Sequence, residues 1–135
     1  MVFSSLALAV SQQPALADTN YAVTSSTGAA IVPGTTDVGN HCDDCTTAIT
    51  LPFGFQLYDR VFTTANVSSN GSLQFGSANP DFILPCLPSS GFSYTLFPYG
   101  ADLRTDFLPA PFPLGIFTTV TGSAPNRVFN IEWRA

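Results

Sequence analysis

The residues able to do chemistry are few: three cysteines, one histidine and a thin scatter of acids. His41 directly precedes Cys42-Asp43-Asp44-Cys45, and Cys86 lies far downstream. In an exported chain thiols oxidise, so one disulfide and one leftover thiol are expected among Cys42, Cys45 and Cys86. Spacing alone leaves the pairing open. A zinc site would draw on the three cysteines and His41, but adjacent His41 and Cys42 are awkward ligands for one tetrahedron. A redox pair needs Cys-x-x-Cys at a helix N-terminus, where the dipole lowers the thiol pKa. Thr46-Thr-Ala-Ile-Thr-Leu follows instead, a strand-like run, so the disulfide reading is preferred.

The acids gather at Asp43 and Asp44 and at Asp102 and Asp106. Such hard oxygen ligands would suit calcium if backbone carbonyls completed the shell, although no EF-hand spacing is present. The plainer expectation is solvated loop and capping aspartates, and no cofactor is expected. Catalytic signatures are missing: there is no Gly-x-Ser-x-Gly elbow, phosphate loop or paired histidine motif. His41 is the one candidate base and no nucleophile is identifiable beside it. Glu132 could join an aspartate as a glycosidase pair, but no spacing selects a partner, and it is expected at the surface opposite Trp133. Asn66-Val-Ser68 and Asn70-Gly-Ser72 match the glycosylation sequon, yet a hairpin explains the same residues without sugar. Phe107 and Phe112, in a Pro-rich setting, form a possible ligand-contact loop.

The elements that must position these residues are strands. The 135 residues are 45 % apolar and 10 % charged, enough for one domain with a core. Four arginines, no lysine and nine acids give a net charge of −5. That balance excludes binding to nucleic-acid phosphates and argues against a polybasic membrane-surface protein. Gly, Pro, Thr, Ser and Phe abound, which favours strands and turns. Residues 1–17 read as a secretory signal: a short apolar run from Val2 to Val10 and a small-x-small site at Ala15-Leu16-Ala17. No other stretch would span a bilayer, so a secreted or cell-surface product is expected, not a membrane-embedded one.

From residue 18 the chain is expected to form one antiparallel β-sandwich of the jelly-roll or immunoglobulin-like class. Tyr21-Ala-Val-Thr-Ser and Ala30-Ile-Val-Pro are weak strand candidates. Ile49, Leu51, Phe53, Phe55 and Leu57 share one face of the strongest candidate, which Pro52 makes an edge or breaks. Next comes a hairpin at Asn70-Gly71. A three-residue loop pairs Val67 with Leu73 and Ala65 with Phe75, matching the faces, and needs Gly71 at positive φ. Residues 80–113 hold seven of eleven prolines and are expected to be irregular, with a short strand near Tyr94 to Tyr99. Gly115–Thr121 and Arg127–Arg134 read as a final pair, with Phe129, Ile131 and Trp133 facing inward. A core strand on the terminal residues leaves an open edge, so the C-terminus is expected to be truncated and its C-terminal strands missing.

Four strings then line up: Leu51-Pro-Phe-x-Phe-x-Leu-Tyr58, Val67-Ser-Ser-Asn-Gly-x-Leu-x-Phe75, Phe97-Pro-Tyr-x-x-Asp-Leu-Arg-Thr-Asp106 and Ala124-Pro-Asn-Arg-x-Phe-x-Ile-Glu-Trp133. Together, over Asp43 to Arg134, they resemble a β-sandwich module of large secreted and cell-surface bacterial proteins, distantly similar to the nidogen-type extracellular domain. Gly100-Ala101 stands where that family usually carries Trp-Asp, and Leu114 where it often has Cys. The resemblance implies a non-catalytic binding or structural module of an adhesin-like surface protein, one that usually continues for several more strands. The expected partner is an extracellular protein or a glycan, with strand exchange through the open sheet edge a further route. The alternatives are a carbohydrate-binding module or an accessory part of a larger secreted hydrolase.

Overall fold

A computed structural model describes residues 25–83, 86–106 and 113–135. The expected signal, the Tyr21 strand candidate and the segment from Phe107 to Phe112 lie outside the described residues. The described chain is all-β, and no helix in it is long and apolar enough to cross a membrane. Among the described residues seven strands form: β1 (Thr36–Asp37), β2 (Thr46–Leu57), β3 (Arg60–Ser68), β4 (Leu73–Gln74), β5 (Thr95–Leu96), β6 (Gly115–Ser123) and β7 (Asn126–Arg134). They make two antiparallel sheets, ordered β1-β6-β7 and β2-β3-β4-β5, in a sandwich arrangement.

The apolar alternation of β2 explains its length, and its proline explains its fault. Thr50 pairs with Thr64 and Phe55 with Phe62, so β2 takes five steps where β3 takes two. The irregularity spans Pro52 to Gly54, where a ladder donor is missing and glycine permits the bend. β2 is also an edge strand, so both consequences expected of Pro52 occur.

The hairpin follows the predicted register. Val67 pairs with Leu73, and Ser68 N–H donates to Ser72 O at 2.9 Å, closing a loop of Ser69, Asn70 and Gly71. Gly71 N–H donates to Ser68 O at 3.1 Å, and Gly71 has φ +78°. A Cβ there would also collide with the Tyr99 carbonyl, so only glycine fits. The expected Ala65–Phe75 pair does not form. The β3–β4 ladder ends at Gln74, and Phe75 N–H donates instead to Tyr94 O, leading into β5.

The core is the contact of the two sheets. Ile49, Leu51, Ala65, Val67 and Ile116 are buried together, with Phe129, Ile131 and Trp133 of β7 packed on them. Full burial of Ile116 contributes about 2 kcal/mol. Trp133 Nε1–H donates to Ser68 O at 2.9 Å, tying β7 to the end of β3.

The Ala30–Pro33 candidate is not a strand. Ile31 and Val32 are exposed, and pairing begins only at Thr36, against Thr118. What holds this segment is Gly34, whose N–H donates to Glu132 Oε2 at 2.8 Å and whose carbonyl accepts from Arg134 Nη2 at 2.9 Å. Glu132 is therefore a half-buried clamp on the outer face of β7, not the plain surface residue expected of it. Arg134 pairs with Glu132 at 2.8 Å and stacks its guanidinium 3.9 Å from the Phe117 ring centroid. The Arg134 hydrogen bond, helped by the Gly34 amide, holds the Glu132 carboxyl below its ordinary value against a partial desolvation cost.

Candidate functional site

At one end of the sandwich the cysteine-rich loop meets the hairpin tip. Cys42 and Cys45 form a disulfide, and Cys86 is an exposed free thiol. That pairing removes two of the three thiolates a zinc site would need. His41 is engaged elsewhere: its Nε2 lies 2.8 Å from Asp37 Oδ2 in an exposed pair. The Asp37 carboxyl is held below its ordinary value, first by the Gly39 N–H and then by His41.

Behind the disulfide lies a polar network. Thr105, fully buried, accepts from Cys42 N–H at 3.0 Å and donates to Asn40 Oδ1 at 2.8 Å. Asn40 in turn donates to Thr47 Oγ1 at 3.1 Å. Ser69 exchanges backbone and side-chain bonds with Cys45, and its hydroxyl donates to Asp43 O.

Asn70 is the hub. Its Nδ2 donates to Asp44 Oδ1 and to Pro80 O, both at 2.8 Å, and its Oδ1 accepts from Leu103 N–H at 2.8 Å. One buried carboxamide therefore fastens three loops to the hairpin tip. Gln74, also fully buried, holds the next turn: it donates to Asn79 O and accepts from Asn79 N–H and the Ser77 hydroxyl. Among the described residues no buried side-chain nitrogen or oxygen lacks a partner. Sequence reasoning missed this role, because Asn-Gly reads as a turn signal whichever way the side chain points. Both sequon nitrogens are engaged as well, since Asn66 Nδ2 donates to Ser77 O at 2.8 Å.

The four aspartates divide. Asp43, Asp44 and Asp102 bring carboxylate oxygens within 4.8 Å of one another. Asp106 does not join them, because Arg104 holds it at 3.1 Å and lies 3.5 Å from Asp43. Arg104 lowers the Asp106 carboxyl, and Asp106 raises the Arg104 guanidinium in turn. Arg104 and Asn70 thus already supply positive and donor groups to the acidic cluster. The contact candidates Phe107 and Phe112 fall outside the described residues.

Two apolar hollows adjoin β7 on the side of Phe129, Ile131 and Trp133. A cleft of about 320 Å³ lies between β2, β4, β5 and β7, lined by Phe53, Phe55, Leu73, Phe75, Phe129 and Ile131 among others. Arg127 stands at its mouth, 5.0 Å from the Phe53 ring centroid and 3.4 Å from Pro52 O. A second hollow, about 290 Å³, lies beside Trp133 between Gly71, Tyr99 and Leu103. These cavities offer hydrocarbon contact and almost no groups for acid–base work.

The family described as NIDO related matches residues 20–135, nearly the whole chain. Searches of curated proteins and of solved structures returned no match. A two-sheet antiparallel fold with a disulfide-tied loop end, matched over that span, makes this chain a member of the NIDO-related family.

Proposed function

We propose that the chain is a non-catalytic extracellular binding and display module of an adhesin-like surface or secreted protein. One observation carries the reading: the polar side chains gathered at the disulfide end are spent on holding loops. Asn70, Thr105, Ser69 and Asn40 each bond to backbone or to another side chain, which makes that end a rigid platform. Loops carried on a stiff β scaffold are the usual arrangement for recognition. Family membership and the Cys42–Cys45 disulfide support an oxidising, extracellular setting.

Cys86 provides the test, because it is exposed and unpaired. Cells producing the full-length protein are treated with a membrane-impermeant maleimide, with Cys86→Ser as the control. Labelling of intact cells at the level reached after lysis is expected. Labelling only after lysis refutes the extracellular reading. A carbohydrate-binding form of the proposal draws on Tyr99, 71 % exposed at the rim of the hollow beside Trp133. Glycan-array binding lost on Tyr99→Ala, or on replacing Phe107 or Phe112, would select it.

A further inference from the structure

At the end of β2 and β3 remote from the disulfide, the backbone enters a region that ordinary side chains avoid. Leu57 pairs with Arg60, so Tyr58 and Asp59 make a two-residue loop. Tyr58 has φ +55° and holds the first central position, which such loops commonly give to glycine or asparagine. Tyr94, just before β5, has φ +46°. A tyrosine in this conformation is strained and persists only where its surroundings hold it. Gln56 Nε2–H donates to Tyr58 O at 3.1 Å, and the Tyr94 hydroxyl donates to Asp59 Oδ1 at 3.0 Å. Both strained residues are thereby tied to one turn, and their ring centroids stand 6.2 Å apart. Packing alone does not account for a tyrosine at 58, because that residue remains 49 % exposed.

Arg60 lies against the same aromatic cluster. Its guanidinium carbon is 5.4 Å from the Tyr94 ring centroid and 5.7 Å from that of Phe62. Arg104 and Arg134 pair with carboxylates, and Arg127 reaches Pro52 O. Among the described residues Arg60 makes no ion pair and its guanidinium meets no acceptor, although the ring faces hold it in place. Asp59 beside it keeps acceptor capacity beyond the Tyr94 bond. An exposed ring face, a planar donor fork and a carboxylate thus meet at one turn. A pyranose offers the complement of each: an apolar C–H face, hydroxyls that accept and hydroxyls that donate. We propose that this turn is a saccharide-binding site, with a pyranose ring on Tyr58, one hydroxyl accepting from Arg60 and its neighbour donating to Asp59. The charges of Asp59 and Arg60 offset each other within a chain of net charge −5, which selects a neutral sugar over a uronic acid. Arg60 itself takes the place of a cation at the rings, which excludes an ammonium ligand.

The inference rests on the binding-module reading and adds a ligand class, at a site away from Tyr99. Its test uses the purified full chain and the methyl glycosides of glucose, galactose and mannose, with binding followed by backbone amide shifts in NMR spectra. Saturable shifts centred on Tyr58, Asp59, Arg60 and Tyr94 are expected below about 50 mM for at least one glycoside, the weak range of a single sugar ring. Tyr58→Asn removes the ring and places there a residue that accepts the left-handed conformation. Binding should weaken by roughly tenfold or more while the melting temperature stays level or rises, because the strain leaves with the ring. Tyr58→Phe should keep binding within about twofold, and Arg60→Lys should weaken it roughly tenfold, since an ammonium lacks the planar fork. No saturable binding of any of the three glycosides overturns the proposal, as does unchanged binding by Tyr58→Asn. A melting temperature lowered by more than about 5 °C in Tyr58→Asn also overturns it, because the ring then serves the fold. Tighter binding of the methyl glycoside of glucuronic acid than of glucose overturns the neutral class. Shifts gathered at Tyr99 and Leu103 instead overturn this site and leave the binding module standing, and none of these results bears on the cell-surface labelling above.

Discussion

Replacing Asn70 tests whether one buried carboxamide holds the loop end together. Asn70→Ala removes a bond to a charged acceptor, Asp44, and two bonds to backbone groups, Pro80 O and Leu103 N–H. Bonds to charged groups contribute roughly 1.5–3 kcal/mol and neutral ones about 1 kcal/mol, and a stranded buried donor adds its own desolvation cost. The loss should come to about 4 kcal/mol, a large share of the roughly 5–15 kcal/mol that holds a typical domain. Urea denaturation measures it: with a slope of about 1.5–2 kcal/mol/M, the midpoint falls by about 2 M. Asn70→Asp sharpens the argument, because it keeps the acceptor for Leu103 but sets a carboxylate against Asp44 and the Pro80 carbonyl. At neutral pH it should be worse than Asn70→Ala. As pH falls and the introduced carboxyl takes up a proton, it regains a donor and should become the better of the two. A loss below about 1.5 kcal/mol for Asn70→Ala, or no crossing of the variants with pH, would falsify the hub.

Three further perturbations follow from particular contacts. Gly71 and Gly39 share a φ near +78°, but only Gly71 lacks room for a Cβ; Gly39→Ala should cost about 1 kcal/mol and Gly71→Ala clearly more, and equal losses in thermal melts would remove the steric argument. Breaking the Cys42–Cys45 bridge by a double serine replacement should cost about 2 kcal/mol, because the closed loop is short, while Cys86→Ser should change stability by less than about 0.5 kcal/mol. The lowered Glu132 carboxyl contributes stability that is present above its ordinary value of 4.5 and lost as pH falls through the depressed folded value. Melting temperature should therefore drop less between pH 5 and pH 2 in Glu132→Gln than in the parent, and parallel curves would contradict the clamp.

What was legible in the chain was whatever depends on neighbours in sequence. The hairpin register followed from matching Val67 to Leu73, because a slip by one residue would turn every apolar side chain outward. The fault at Pro52 followed from its missing N–H, and the inward set of Phe129, Ile131 and Trp133 from period-two alternation. β1 was hidden because it consists of two paired residues whose partners, Phe117 and Thr118, lie some eighty positions away. Ala30–Pro33 looked more strand-like but meets no ladder. The buried polar network was hidden for a similar reason: Asn40, Thr105 and Asn70 look like ordinary loop residues until three distant loops converge on them. Of the aspartates, two neighbours and Asp102 came together, whereas Asp106 was captured by Arg104, two residues before it.

The fastening of Asn70 also bears on how the protein ages. In a flexible chain an Asn-Gly step is chemically short-lived: the glycine amide nitrogen attacks the carboxamide, ammonia leaves as a cyclic imide forms, and hydrolysis yields aspartate or isoaspartate. Here the Gly71 N–H is committed to Ser68 O, and the Asn70 carboxamide is held through both its nitrogen and its oxygen. The reaction must wait for that loop end to open. Isoaspartate at this position would therefore accumulate as a molecular clock of local unfolding, running slowly in the intact module and quickly in any copy whose loop end has come apart.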